Sequence, residues 1–191
     1  MSTKGKRTKR RIADEARKLF AESGFSKITM QDICEKTELS RGGLYKHFSS
    51  TGEIFAFIIK EEQGRSLKAL EEARNNGLSI EVVFTEFINS RLRYLSNKEI
   101  NIDVAFHEYA ASDPAGRELM AEYISFSVAT LTGILEEGRI DGVFTCGNPE
   151  LSAKHILWLL EGIGMHNAII PLTEEDISEQ RDEILAYVKM H

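Results

Sequence analysis

ITMQDICEKTELSRGGLYKHF, residues 28–48, is the stretch that decides the fold. Thr29 with Asp32 three positions on is a capping-box pattern, and it starts a short helix that turns Ile33 and Cys34 inward. Thr37, Glu38 and Leu39 then lead to a second short helix, capped by Ser40 and reading SRGGLYKHF. Two helices of about two turns joined in this way have the layout of a helix-turn-helix, whose second helix enters the DNA major groove. Leu44 and Phe48 face inward in that arrangement, which leaves Arg41, Gly42, Gly43, Tyr45, Lys46 and His47 toward groove and phosphates. Glycine lets a backbone approach a phosphate closely, a helix N-terminus offers N–H groups to an anion, and Arg or Lys neutralises phosphate or reads guanine. Gly43 brings no side chain, so base reading rests mainly on Arg41, Tyr45 and Lys46. The competing reading is of short amphipathic helices such as any α-bundle contains, weakened by their glycines.

Charge separates this region from the rest of the chain. Residues 1–50 hold 12 Lys and Arg against 6 Asp and Glu, and residues 51–191 hold 12 against 24. A basic module on an acidic body points to a polyanionic partner for the first part only. Lys4, Lys6, Arg7, Lys9, Arg10 and Arg11 form a basic N-terminal arm that either tracks phosphates and the minor groove or is a solvated tail. No apolar run follows the arm as in a signal peptide, and the apolar stretch 156–172 is broken by Glu161, His166 and Asn167, so neither export nor a membrane span is expected. The expected location is the cytoplasm, where Cys34 and Cys146 are free thiols, Cys34 packed inward and Cys146 exposed in the loop TCGNP.

Helical periodicity continues on both sides of the motif, and no apolar–polar alternation is long enough for a strand, so the class is all-α with about nine helices. The first is expected from about Lys9 to Ser23, ending at Gly24. Ser50 with Glu53 is a second capping box, opening a long fourth helix to about Asn76. A stripe from Ile80 to Leu95 gives a fifth and 100–111 a sixth. Asp113-Pro114 and Asn148-Pro149 open two long helices, about 114–138 and 149–170, and Thr173 with Asp176 opens the last. The expected division is a DNA-binding domain at 1–49 and a larger helical domain at 50–191.

ARKLFAESGF at 16–25, the helix-turn-helix stretch and SSTGEIF at 49–55 together resemble the DNA-binding domain of the TetR family of bacterial transcriptional regulators. The likeness covers about a quarter of the chain; the remainder matches only in length and helix pattern. It implies that Thr29 caps the second helix and touches a phosphate, that Ser40 does the same at the recognition helix, that Arg41, Gly42, Gly43, Tyr45 and Lys46 meet bases or backbone, and that His47 holds a phosphate. Two departures stand out: Glu38 replaces the usual glycine of the turn, and Thr51 replaces a lysine frequent at the start of the fourth helix.

The resemblance further implies a homodimer on a near-palindromic double-stranded operator, with half-sites about 34 Å apart or further. The last two helices of each subunit form the interface, and candidates are Leu157, Leu160, Gly164, Ala168, Ile177, Ile184, Leu185 and Val188. It also implies an effector pocket in the acidic body. Phe84, Phe87, Phe106, Tyr109, Tyr123, Phe126, Trp158 and Met165 are the candidates for a mostly apolar small molecule, and the same residues also read as solid core. The expected function is that of a repressor released by such an effector, the fourth helix acting as lever; the alternative is a dimeric regulator, repressor or activator, with no effector. No cofactor is expected. The histidines show no i, i+4 ligand pair for a metal, and the chain has no GxSxG, HExxH or P-loop, so it does not read as an enzyme.

Overall fold

A computed structural model describes residues 3–189, which form nine α-helices and no strand. They are α1 (Thr3–Ser23), α2 (Met30–Thr37), α3 (Arg41–Tyr45), α4 (Thr51–Asn75), α5 (Ile80–Ser96), α6 (Asp103–Ser112), α7 (Pro114–Ile140), α8 (Pro149–Ile169) and α9 (Glu174–Tyr187). The chain divides into two compact units: unit 1 runs to Ser66 and includes Lys98–Ala121, and unit 2 is Leu67–Asn97 with the chain from Glu122 onward. The helix-turn-helix segment therefore packs together with α6 and the start of α7, elements that the sequence reading had grouped with the acidic body.

Unit 1 closes around an aromatic cluster. Phe55, wholly buried on α4, meets Phe20, Phe25, Phe106 and Tyr109 at ring separations of 5.1, 5.6, 5.3 and 5.7 Å. Phe25 follows Gly24, which ends α1 in the left-handed conformation at φ 82°, so the chain turns back and lays the Phe25 ring on Tyr109 at 4.1 Å. Glu108 of α6 accepts the Ser26 N–H at 3.1 Å and secures the same corner. Tyr109 fits because Gly52 and Gly116 leave room for it: a methyl group at Gly52 would strike its hydroxyl, and one at Gly116 its backbone carbonyl. Burial raises the Tyr109 phenol above its usual range, helped by the charge of Asp113. Buried Arg17 of α1 pairs with Glu62 at 2.7 Å and donates to the Ile100 carbonyl at 3.1 Å, tying α1 to α4 and to the segment before α6.

In unit 2, Ile80, Phe84, Ile88, Leu92 and Leu95 of α5 pack with Leu131, Ile134 and Leu135 of α7, Ile156 and Leu160 of α8, and Ile184 of α9. Buried Asn167 donates to the Leu95 carbonyl at 2.8 Å and accepts the Leu172 N–H at 2.9 Å, which satisfies groups at the ends of α5 and α8. Cys146 is 1% exposed rather than in open solvent, and burial pushes its thiol up. The cause is its loop, which is held against the end of α9 by the bond from Thr145 N–H to the Val188 carbonyl.

Local signals explain the helix boundaries. Thr29 and Asp32 form the full reciprocal box at α2, Thr173 and Asp176 at α9, and Asn148 caps α8 ahead of Pro149. The start of α4 is spread over one more residue than expected: Glu53 N–H donates to Ser50, while the Glu53 carboxylate receives the backbone and hydroxyl of Ser49. Helix α1 begins at Thr3, six residues before the expected start, so most of the basic arm is its first turns.

The turn between α2 and α3 keeps its geometry without glycine. Glu38 takes the left-handed conformation at φ 55°, and the N–H groups of Glu38 and Leu39 close back on Glu35 and Cys34. A side chain at positive φ costs about 1–3 kcal/mol, of which glycine would recover part while losing chain entropy. Glu38→Gly is thus expected to stabilise the protein by about 0.5–1 kcal/mol. Denaturant titration of the two proteins checks this, and a loss of stability would contradict the strain.

Candidate nucleic-acid interface

Helix α3 is held from below and open above. Leu44 and Phe48 are buried, as their spacing predicts, and Lys9 lies over the Phe48 ring at 4.6 Å and the Phe57 ring at 4.8 Å. Arg41, Gly42 and Lys46 are exposed, and Tyr45 is 54% exposed. Nothing stands within 4 Å of where a Gly42 side chain would begin, whereas one at Gly43 would press on Ser40 Oγ at 3.3 Å. The two glycines thus differ: Gly42 keeps the outer surface bare and Gly43 lets the cap form.

The two capping residues are in different states. Ser40 Oγ accepts the Gly43 N–H at 3.2 Å, which leaves its hydroxyl proton to donate outward. Thr29 spends both donors on Asp32 Oδ2, its hydroxyl at 2.6 Å and its N–H at 2.8 Å. Those bonds, the hydroxyl first, hold the Asp32 carboxyl below its usual range. A phosphate contact by the Thr29 hydroxyl would require releasing Asp32. His47 is half-buried, with Nδ1 enclosed and without a hydrogen-bond partner.

The arm cations are divided. Lys9 is occupied by its two rings and Arg10 by Glu61 at 3.0 Å, while Lys4, Lys6, Arg7 and Arg11 are exposed along the first turns of α1. Sequence reasoning passed over Gln31, which receives a bond from Arg41 at 2.8 Å. A polar residue on the second position of α2 carried no signal by itself.

The candidates in the acidic body are scattered. Phe106 and Tyr109 belong to the aromatic cluster of unit 1. Phe84 is buried against Phe144 at 5.1 Å in unit 2, and Trp158 points outward, 58% exposed. Phe87, Tyr123, Phe126 and Met165 are half-buried members of unit 2. Of the candidate interface residues, Leu160, Gly164, Ile184 and Val188 are buried in the unit's own core, Leu157, Ile177 and Leu185 are half-buried, and Ala168 is exposed. The outward face of α8 carries Leu151, His155, Trp158, Leu159, Gly162, His166 and Ile169, at steps of three and four, with Ile169 80% exposed. Of the α8 residues expected at an interface, Leu160 and Gly164 are thus turned into the unit's own core, while Trp158, expected to line a pocket, is on the outward face. Among the described residues no helix is long and apolar enough to cross a membrane, and no group of three His, Cys, Asp or Glu could hold a metal.

Residues 12–57 match the family model described as bacterial regulatory proteins, tetR family. Over 182 residues the chain is 25% identical to the uncharacterized HTH-type transcriptional regulator YfiR of Bacillus subtilis, an alignment covering 93% of this chain and 88% of that one. The HTH-type transcriptional regulator UidR of Escherichia coli is 38% identical over 72 residues, 38% of this chain and 37% of that one. Among solved structures, the fatty acid degradation regulator FadR from Bacillus halodurans has a similar fold, with a TM-score of 0.79 over 95% of this chain and 94% of that one at 17% identity.

Proposed function

We propose that this chain, whose residues 12–57 match the model of bacterial regulatory proteins of the tetR family, is a DNA-binding transcriptional regulator of that family and a homodimeric repressor that a small, mostly apolar effector releases from a near-palindromic operator. The observation that carries the reading is α3 with the three residues that follow it, a single-turn helix shorter than the two turns expected, with Leu44 and Phe48 rooted in the core and Arg41, Tyr45 and Lys46 turned outward. Arg41 and Lys46 suit guanine or phosphate, and Tyr45 offers a ring to a thymine methyl or a hydroxyl to a phosphate. The exposed cations on the first turns of α1 add phosphate contacts.

The outward face of α8 supports pairing with a second copy. An apolar stripe of Leu151, Trp158, Leu159 and Ile169, edged by His155 and His166, is unusual on a free surface, and a two-fold axis covers it with itself. Two recognition helices then face two half-sites. For the effector, the half-buried Phe87, Tyr123, Phe126 and Met165 of unit 2 are the lining we favour. An effector with preference for a conformation that mis-spaces the recognition helices, coupled by about 1–3 kcal/mol, weakens operator binding roughly 5-fold to 150-fold. Helix α4, which leads from the DNA-binding segment into the body, is the lever. The burial of Phe84, Phe106 and Tyr109 favours a second reading, a dimeric regulator without effector, for which no apolar compound changes operator affinity.

Selection of sites from random duplex DNA by the full-length protein, at two salt concentrations, tests the reading. The expected result is a palindrome that survives the higher salt. Lys46→Ala should then weaken binding by about 1–3 kcal/mol with altered base preference, and Arg7→Ala should mainly lower the salt slope. Recovery of only salt-sensitive, sequence-blind DNA would overturn the assignment.

A further inference from the structure

Gln31 is fixed from two sides on the exposed first turn of α2. Its Oε1 accepts from Arg41 Nη2 at 2.8 Å, and its Nε2 donates to Glu35 Oε1 at 3.1 Å. Turning the amide over would set its NH2 against a guanidinium and its oxygen against a carboxylate, so both neighbours impose one orientation. Arg41 is the first residue of α3 and is exposed, and a long side chain in that place would otherwise sweep across several base pairs. The guanidinium has five N–H donors; the bond from Nη2 to Gln31 takes one and leaves one parallel pair for a bidentate acceptor.

We propose that Gln31, backed by Glu35, is a positioning residue for base recognition: it holds the Arg41 guanidinium on the α2 side of the recognition helix and thereby selects which base pair of each half-site Arg41 reads, with guanine O6 and N7 as the target. The proposal rests on the reading of α3 as the base-reading helix. Substitution of Gln31 acts on specificity and leaves the phosphate contacts as they are. Glu35 supplies the second tether, so that a carboxylate on the DNA-facing side of α2 serves to orient a cation two bonds away.

The test is site selection with the full-length protein and its Arg41→Ala, Gln31→Ala and Gln31→Glu variants and the Gln31→Ala, Arg41→Ala double variant, each with a salt titration. Arg41→Ala is expected to remove a guanine preference at one position of each half-site. Gln31→Ala should relax the preference at that same position about tenfold, with the other positions and the salt slope unchanged. Gln31→Glu, which keeps an acceptor for Arg41 but sets a carboxylate against Glu35, should recover the preference in part, and the double variant should behave as Arg41→Ala alone. The proposal is overturned if Gln31→Ala leaves that position intact, if its effect adds to that of Arg41→Ala, or if Arg41→Ala changes the salt slope with no change in base preference, the mark of a phosphate contact. A parent protein that selects no motif at all would bring down the reading of α3 and the proposal with it, an outcome distinct from a motif that is indifferent to Gln31.

Discussion

Replacing Phe55 by alanine is expected to cost unit 1 about 3–5 kcal/mol, the range for removing a fully buried phenylalanine. The ring has four aromatic neighbours between 5.1 and 5.7 Å, drawn from α1, the corner after it and α6, and no one of them can fill the space without leaving the others. A loss of that size approaches the whole stability of many domains. The helix-turn-helix should therefore melt at a lower temperature while unit 2 keeps its own transition, and calorimetry of the full chain separates the two. A transition shifted by less than the equivalent of about 1 kcal/mol would mean that the cluster is not the centre of the unit.

Trp158→Glu should produce the second large effect, this time on assembly. The indole stands outward amid the apolar side chains of α8, so unit 2 loses little by the change. In a two-fold interface the substitution introduces two carboxylates into apolar surroundings, at several kcal/mol. The variant is expected to sediment as a monomer at concentrations where the parent is a dimer. Its affinity for a palindromic operator should fall by about 100-fold or more, because the second half-site is no longer held in place by the first. An unchanged dimer would exclude this face of α8 from the interface.

The helix-turn-helix was legible because each of its signals acts over three or four residues. The Thr29–Asp32 box, the Ser40 cap and the Leu44–Phe48 pair declare themselves within one turn. The start of α1 was not, since residues 3–8 are only Thr, Gly, Lys and Arg and offer no apolar periodicity. Helix α8 is apolar on nearly every side, so periodicity set its length and could not say which face is inward; that depended on α5, far away in sequence. Phe106 and Tyr109 read as part of the body because nothing near them in sequence points to Phe25 and Phe55. Cys146 looked exposed from the polar residues around it, and the backbone bond between Thr145 and Val188 is what closes it in. Gln31 became informative only when the side chain of Arg41 was seen to reach it.

The seat of Tyr109 between Gly52 and Gly116 bears on how such a regulator can be re-engineered. A hybrid made by joining the beginning of one chain to the remainder of another treats the reading head as one uninterrupted cassette. Here the head is assembled from two separate stretches, the chain up to Ser66 and Lys98–Ala121. A single junction after residue 66 would pair Phe25, Gly52 and Phe55 with a foreign α6 whose side chains were shaped for other neighbours, and one after residue 49 would leave Phe25 against a foreign α4 as well. A functional graft must exchange both stretches together, through three splice points.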